Sequence, residues 1–496
     1  MAASLACAAG FGNIRCTAMR AAIARARPRP KLAPPSLDPA AIGLVTALGP
    51  AYARFALKLA SLSFIGGERF VEAVREFYNG TSRLIIAFRH PYGDEPQVFT
   101  YAMHRGLPRE AKRLGTPLGR RPHCSFLHGY EVPLWSGPLV RWILPRVGAM
   151  PVYHVRADAA GLRRIRDVLR DGEHPLALAP EGQVSYRSES LPRLERGALQ
   201  LGFWCAEELE TAGRSERVLI LPVSVHSRCV ESDLGILEAL AGDLEYRAGL
   251  PVTRERFGPG ADVTARRRAL GLRLRRIDLA LLALAEAYYG IHPSRGEAQG
   301  MDPDANGEIG PDFITGREFR RLALLEEALR RGEAMLGIPA AGDMISRVYS
   351  IRHEGWSRIF PESDPGSLPP LQRELAHRRA GEAWYAMRHM ELVDIGFYLD
   401  AAYLEDGLSR GGSPSIGRLA ETMFNLVDLA SRLTGGDFSH RPKALDKRVV
   451  LVAEPPLELR SRLAEYRADR RGALNRAEAD LARAYTTAIK EFIDAD

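Results

Sequence analysis

Arg89, His90, Asp94 and Glu95 stand close together in L-I-I-A-F-R-H-P-Y-G-D-E-P, residues 84–96. A histidine with a carboxylate four or five residues on can work as a pair. The carboxylate holds one ring nitrogen, and the other is left as a base near neutral pH. Either Asp94 or Glu95 could hold the ring. Two more polar groups have a similar setting. Arg156 closes the run 148–156, and Glu181 with Gly182 follows the run 175–179.

These groups need elements that bring them to one place. The runs at 84–88, 148–156 and 175–179 are short, apolar and bounded by Pro or Gly, as interior strands are. Helical patterns lie at 159–170 and 195–209, and a further strand at 218–225. This alternation predicts an α/β fold with a mostly parallel sheet flanked by helices. Ligands of such sheets bind beyond the carboxyl ends of the strands. His90, Arg156 and Glu181 all fall there.

The rest of the chain divides by texture. Residues 1–39 form a basic leader with no acid before Asp38, read as disordered or as a transit peptide for an organelle. Residues 40–230 carry the first part of the α/β domain, with a helical pattern over 40–80 and a basic loop at 105–121. Residues 231–445 read as a large α-helical insertion. Residues 446–496 return to the α/β domain with a closing strand near 449 and an amphipathic helix over 461–493.

The net charge of +7 favours anionic partners such as phosphates, phospholipid head groups or coenzyme A. No nucleic-acid-binding module accompanies it, so nucleic acid is not expected as a partner. The five cysteines form no C-x-x-C pair, and no metal site is expected. Residues 302–309 resemble the start of a calcium loop. Phe313 occupies the place of its bidentate glutamate, which argues against calcium. No uncharged apolar run is long enough to span a bilayer. Residues 41–65 and 134–147 mix apolar with basic side chains, which suits a membrane surface or the protein's own core. The arginines of 266–284 offer a solvated basic face or a contact for anionic lipid.

Taken in order, these pieces resemble the glycerophospholipid acyltransferase family, of the lysophosphatidic acid acyltransferase type. Its hallmark is H-x-x-x-x-D after a strand. The counterparts are His90 with Asp94 or Glu95, the run 148–156, Pro180-Glu181-Gly182-Gln183-Val184-Ser185, and Leu221-Pro222-Val223. Glu195-Arg-Gly-Ala-Leu and Val449-Val-Leu-Val-Ala-Glu-Pro-Pro extend the likeness. It covers about 80–230 and 446–496. Two departures stand out. Glu95 holds the family's aspartate position with Asp94 one residue early, and Gln183-Val184 replaces Thr-Arg.

The resemblance implies a glycerolipid acyltransferase-like fold and transfer of a fatty acyl group from acyl-CoA or acyl carrier protein. The acceptor would be the hydroxyl of a lysophospholipid, 1-acyl-sn-glycerol-3-phosphate foremost, with no further cofactor. It makes His90 the general base and gives Arg156, with Arg187, the acceptor phosphate. Glu181 and Gly182 would shape the acceptor site. It also implies a peripheral place on the cytoplasmic face of a phospholipid membrane. The competing expectations are another acceptor, glycerol-3-phosphate or a different lysolipid, and a lipid-binding scaffold with impaired catalysis.

Overall fold

Eight strands join in one sheet: β1 (Leu59–Ile65), β2 (Ser82–Phe88), β3 (Ser125–Gly129), β4 (Met150–Val152), β5 (Leu176–Leu178), β6 (Arg217–Ser227), β7 (Lys447–Ala453) and β8 (Leu457–Glu458). The structure is a computed structural model and describes residues 25–31, 34–153, 158–253, 262–292, 311–397, Leu399, 401–408, 412–436 and 441–495. The strand order is β1-β7-β6-β2-β5-β3-β4, with β8 beside the start of β6. Neighbours are parallel, except that β7 and β8 run antiparallel to β6.

The central strands are apolar over 84–88, 176–178 and 218–223 because helices cover both faces. Side chains alternate between two cores, as a pleated strand requires. In β2, Leu84, Ile86 and Phe88 enter one core, while Ile85 and Ala87 enter the other. In β6, Leu219, Leu221 and Val223 oppose Val218 and Ile220 in the same way. The first core is closed by the helices Pro39–Phe55, Gly67–Tyr78 and Leu107–Arg113. The second is closed by Ala159–Asp171, Gly197–Thr211 and Arg470–Asp494.

Between β6 and β7 the described residues are helical and build a third core. The chain then re-enters the sheet as β7, between β1 and β6. The arginines at 266–276 are engaged within the helical region, Arg275 buried and Arg276 still exposed. Arg266 pairs with Glu238, Arg273 and Arg276 with Glu245, and Arg275 with Glu405. Arg267 and Arg268 donate to carbonyls at 408–414. They staple the helical region together.

Four local expectations change. Residues 59–65 are a strand, not part of a helix. Lys58 takes a positive φ of 53° after the helix, and Leu62 and Phe64 then alternate with Ser61 and Ser63 beside β7. Residues 107–113, read as a loop, are helical. The closing helix breaks at Asp469, which caps Arg470–Asp494 through the amide of Gly472. Residues 25–31, read as part of a disordered leader, pack on the helical region. Ala26 is buried there, and the Arg27 amide donates to the Ile359 carbonyl at 2.8 Å. Residues 1–24 and the calcium-loop-like stretch 302–309 lie outside the described residues. Among the described residues, no helix is long and apolar enough to cross a membrane.

Candidate active site

β2 stops at Phe88 because the backbone must turn at Pro91. Gly93 takes φ +89°, a conformation that favours glycine, and the helix Glu95–Tyr101 begins at once. This tight turn folds the Glu95 carboxylate back onto His90. Its Oε2 lies 2.5 Å from His90 Nδ1. The amides of Tyr92 and Gly93 also donate to Glu95, at 2.5 and 2.8 Å. A carboxylate only accepts, so Nδ1 carries the proton and Nε2 keeps the lone pair in the neutral ring. The Glu95 side chain is fully buried, while the His90 side chain keeps 19% exposure. Asp94 does not share this role, because its carboxylate pairs with Lys447 at the start of β7. Five residues of spacing place the acid under the ring, and four do not.

Charge tunes the pair. Burial alone pushes the His90 pKa down, but Glu95, followed by Glu181 and Asp94, outweighs it and holds the imidazole above its ordinary value. Burial pushes Glu95 up, and His90 with Lys447 brings it below the usual carboxylate range.

Glu181 sits past the end of β5 and touches the same cavity. Both its oxygens are engaged inward. One accepts from Arg89 Nε at 2.8 Å, the other from the His90 amide at 3.2 Å. It therefore fixes the His90 backbone, with both carboxylate oxygens occupied within the protein. Arg89 is completely buried. It also donates to the carbonyls of Ser188, Arg187 and Ser190 at 2.6, 3.0 and 2.7 Å. Gly182 has φ +71°, and an added Cβ would meet Glu195 Cγ at 3.1 Å. Its carbonyl accepts from the Tyr349 hydroxyl at 3.3 Å.

The two arginines assigned to a phosphate fare differently. Arg187 is absent from the cavity wall, and its guanidinium lies 5.2 Å over the Tyr403 ring. Its carbonyl, held by Arg89, is turned into the core. Arg156 lies outside the described residues.

His90 lines a cavity of about 1660 Å³, larger than the roughly 300–1,000 Å³ of a small-molecule pocket. Much of its wall is apolar, including Phe88, Phe126, Leu162, Ile165 and Trp204. The helical region adds Arg352 and Arg388, and the segment after it adds Arg441, Lys443 and Lys447. Leu44, Leu48, Tyr52, Leu139 and Trp142 both line the cavity and are exposed. The first three lie four residues apart on one face of the helix Pro39–Phe55, and the others belong to Gly137–Arg146.

Compared with known proteins, the chain matches no family model, no curated protein and no solved structure.

Arg89, Tyr92, Lys447 and Glu421 are site residues that sequence reasoning did not assign. Arg89 had one signal, a charge placed directly after an apolar run. Glu421 had none, because Tyr92 and Ser188, which donate to it, lie 329 and 233 positions away in the chain.

Proposed function

We propose that the chain is an acyltransferase. It moves a fatty acyl group from a thioester, acyl-CoA or acyl carrier protein, to the hydroxyl of a lysophospholipid. The observation that carries this reading is the His90–Glu95 pair at the end of β2, with His90 lining a large cavity whose wall is mostly apolar. The order of motifs in the sequence supports the same reading and the glycerolipid acyltransferase-like fold.

The chemistry follows from the pair. As the acceptor oxygen attacks the thioester carbonyl, His90 Nε2 takes its proton. Glu95 stabilises the imidazolium that forms. Collapse of the tetrahedral intermediate breaks the C–S bond, and His90 returns the proton to the departing thiolate. The products are an ester and a free thiol, with no covalent enzyme intermediate. The apolar wall suits the acyl chains.

The exposed residues at the cavity mouth favour a peripheral place on a phospholipid surface. Leu139 is 73% exposed and Leu48 57%; Phe55, outside the cavity wall at the end of the helix Pro39–Phe55, is 81% exposed, and Arg54 is exposed beside it. An apolar rim with basic neighbours is the pattern of interfacial helices. Lipid substrates would enter the cavity directly from that side.

The acceptor is tested by thioester release against a panel of hydroxyl acceptors. Turnover with 1-acyl-sn-glycerol-3-phosphate supports the first choice. Turnover only with glycerol-3-phosphate or another lysolipid reassigns the acceptor within the same chemistry. A folded protein that binds lipid vesicles but releases no thiol with any acceptor overturns the reading.

A further inference from the structure

We propose that Glu421, on the helix Ile416–Leu433 of the helical region, is a positioning residue for the His90–Glu95 pair. The inference rests on His90 acting as the base, and it makes the insertion part of the active site.

The connection is short and runs through the half-buried Tyr92. The Tyr92 hydroxyl donates to Glu421 at 3.0 Å and accepts from the Ser227 amide at 3.0 Å. At its other end, the Tyr92 amide donates to Glu95 at 2.5 Å. Tyr92 is thus pinned by its ring and used by its backbone. If the phenol is released, the amide that orients Glu95 loses its anchor. Glu421 also accepts from the Ser188 amide at 3.0 Å and from the Tyr403 hydroxyl. One carboxylate therefore ties the turn at 90–95 to the loop at 182–190.

The same helix governs that loop at further points. Tyr186 has φ +55°, a conformation that costs energy for a residue with a Cβ. Asn425 donates to its carbonyl at 3.2 Å, and Arg432 to its hydroxyl at 3.0 Å. Ser415 and Arg418 engage Glu189. A strained loop persists only when its surroundings over-determine it. Here the surroundings are the inserted helix on one side and Arg89 on the other.

A purely structural Glu421 would affect stability alone, so the test reads His90 itself. The full chain, labelled with ¹⁵N-histidine, is titrated by NMR as parent, Glu421→Gln, Tyr92→Phe and the double variant. His90→Gln assigns the resonance. The groups facing His90 are Glu95, Glu181 and Asp94, and none is altered. We expect the His90 pKa to fall toward its ordinary value in both single variants, because Glu95 is held less firmly. Tyr92→Phe keeps the Glu421 charge, so a shift there excludes a simple loss of distant negative charge. The two effects should be non-additive in the double variant, as for residues in one network. In turnover, kcat should drop about tenfold, a part of the roughly 10²–10⁴-fold worth of a placed base, while KM for the acyl donor stays unchanged. An unmoved His90 titration in Tyr92→Phe overturns the proposal, whatever happens to Tm. The titration needs no substrate, so a chain without transferase activity would sink the function and still test the positioning.

Discussion

At the residue scale the proposed chemistry rests on His90 and Glu95, and their neighbours predict how it responds to change. Glu95→Gln keeps the size and loses the charge. Turnover should fall about 10²-fold, within the range of a disturbed general base, and Asp94→Asn should lose clearly less, because Asp94 serves Lys447 instead. Steady-state kinetics on the two variants separates them. The pH profile has a defined sign. The base must be neutral, and its pKa lies above the ordinary value of 6.5, so kcat/KM should rise with pH through a value above that. Stability carries the same pair with two signs. The raised His90 contributes fully below its unfolded pKa and loses that contribution as pH climbs through its folded pKa. The lowered Glu95 contributes above its unfolded pKa and loses that contribution as pH falls through its folded pKa. Denaturant melts across pH check both limbs.

At the scale of elements, the β2 end and the loop at 182–190 stand or fall with Arg89. Removing it by Arg89→Ala leaves Glu181 buried without its cation and takes a donor from the carbonyls of Arg187, Ser188 and Ser190. Urea unfolding should show a loss of about 3–5 kcal/mol, the usual cost of breaking a buried pair from one side. The helix Pro39–Phe55 has its own buried link. Thr46 Oγ1 lies 3.0 Å from His104 Nδ1, and His104 Nε2 lies 2.9 Å from His123 Nδ1. Burial, then His123 and nearby arginines, pushes His104 down to about 4. A histidine held neutral when folded costs stability as pH falls from its unfolded pKa of 6.5 toward that value. Thermal melting should therefore show a loss over that window that His104→Gln reduces.

These elements also show what a single sequence carries. β2, β5 and β6 were legible because both faces of each strand are buried, which leaves an unbroken apolar run. β1 was not, since it is an edge strand whose burial alternates and whose partner, β7, lies about 390 residues on, as in Leu59 with Lys447. The His90–Glu95 pair was legible because its spacing is local. Arg89–Glu181 spans 92 positions and Tyr92–Glu421 spans 329, so their contacts depend on topology that no local pattern encodes. Asp94 was an open choice for the same reason, as Lys447 arrives only with the returning strand.

For the whole molecule, the sheet, the inserted helices and the exposed rim would, on the proposed reading, form one path from a lipid surface to His90. The rim can be tested apart from the chemistry. Phe55→Asp, exposed on the same helix but outside the cavity wall, should release the protein from sedimenting anionic vesicles, and should leave turnover of a soluble short-chain donor intact. The central claim is base-assisted acyl transfer at His90. Its most direct measurement is thiol release from acyl-CoA in the presence of a lysophospholipid acceptor, comparing the parent with His90→Ala. The account predicts acceptor-dependent release that falls by roughly 10²–10⁴-fold in the variant, with the circular dichroism of the two proteins unchanged. Comparable release from both proteins would contradict it.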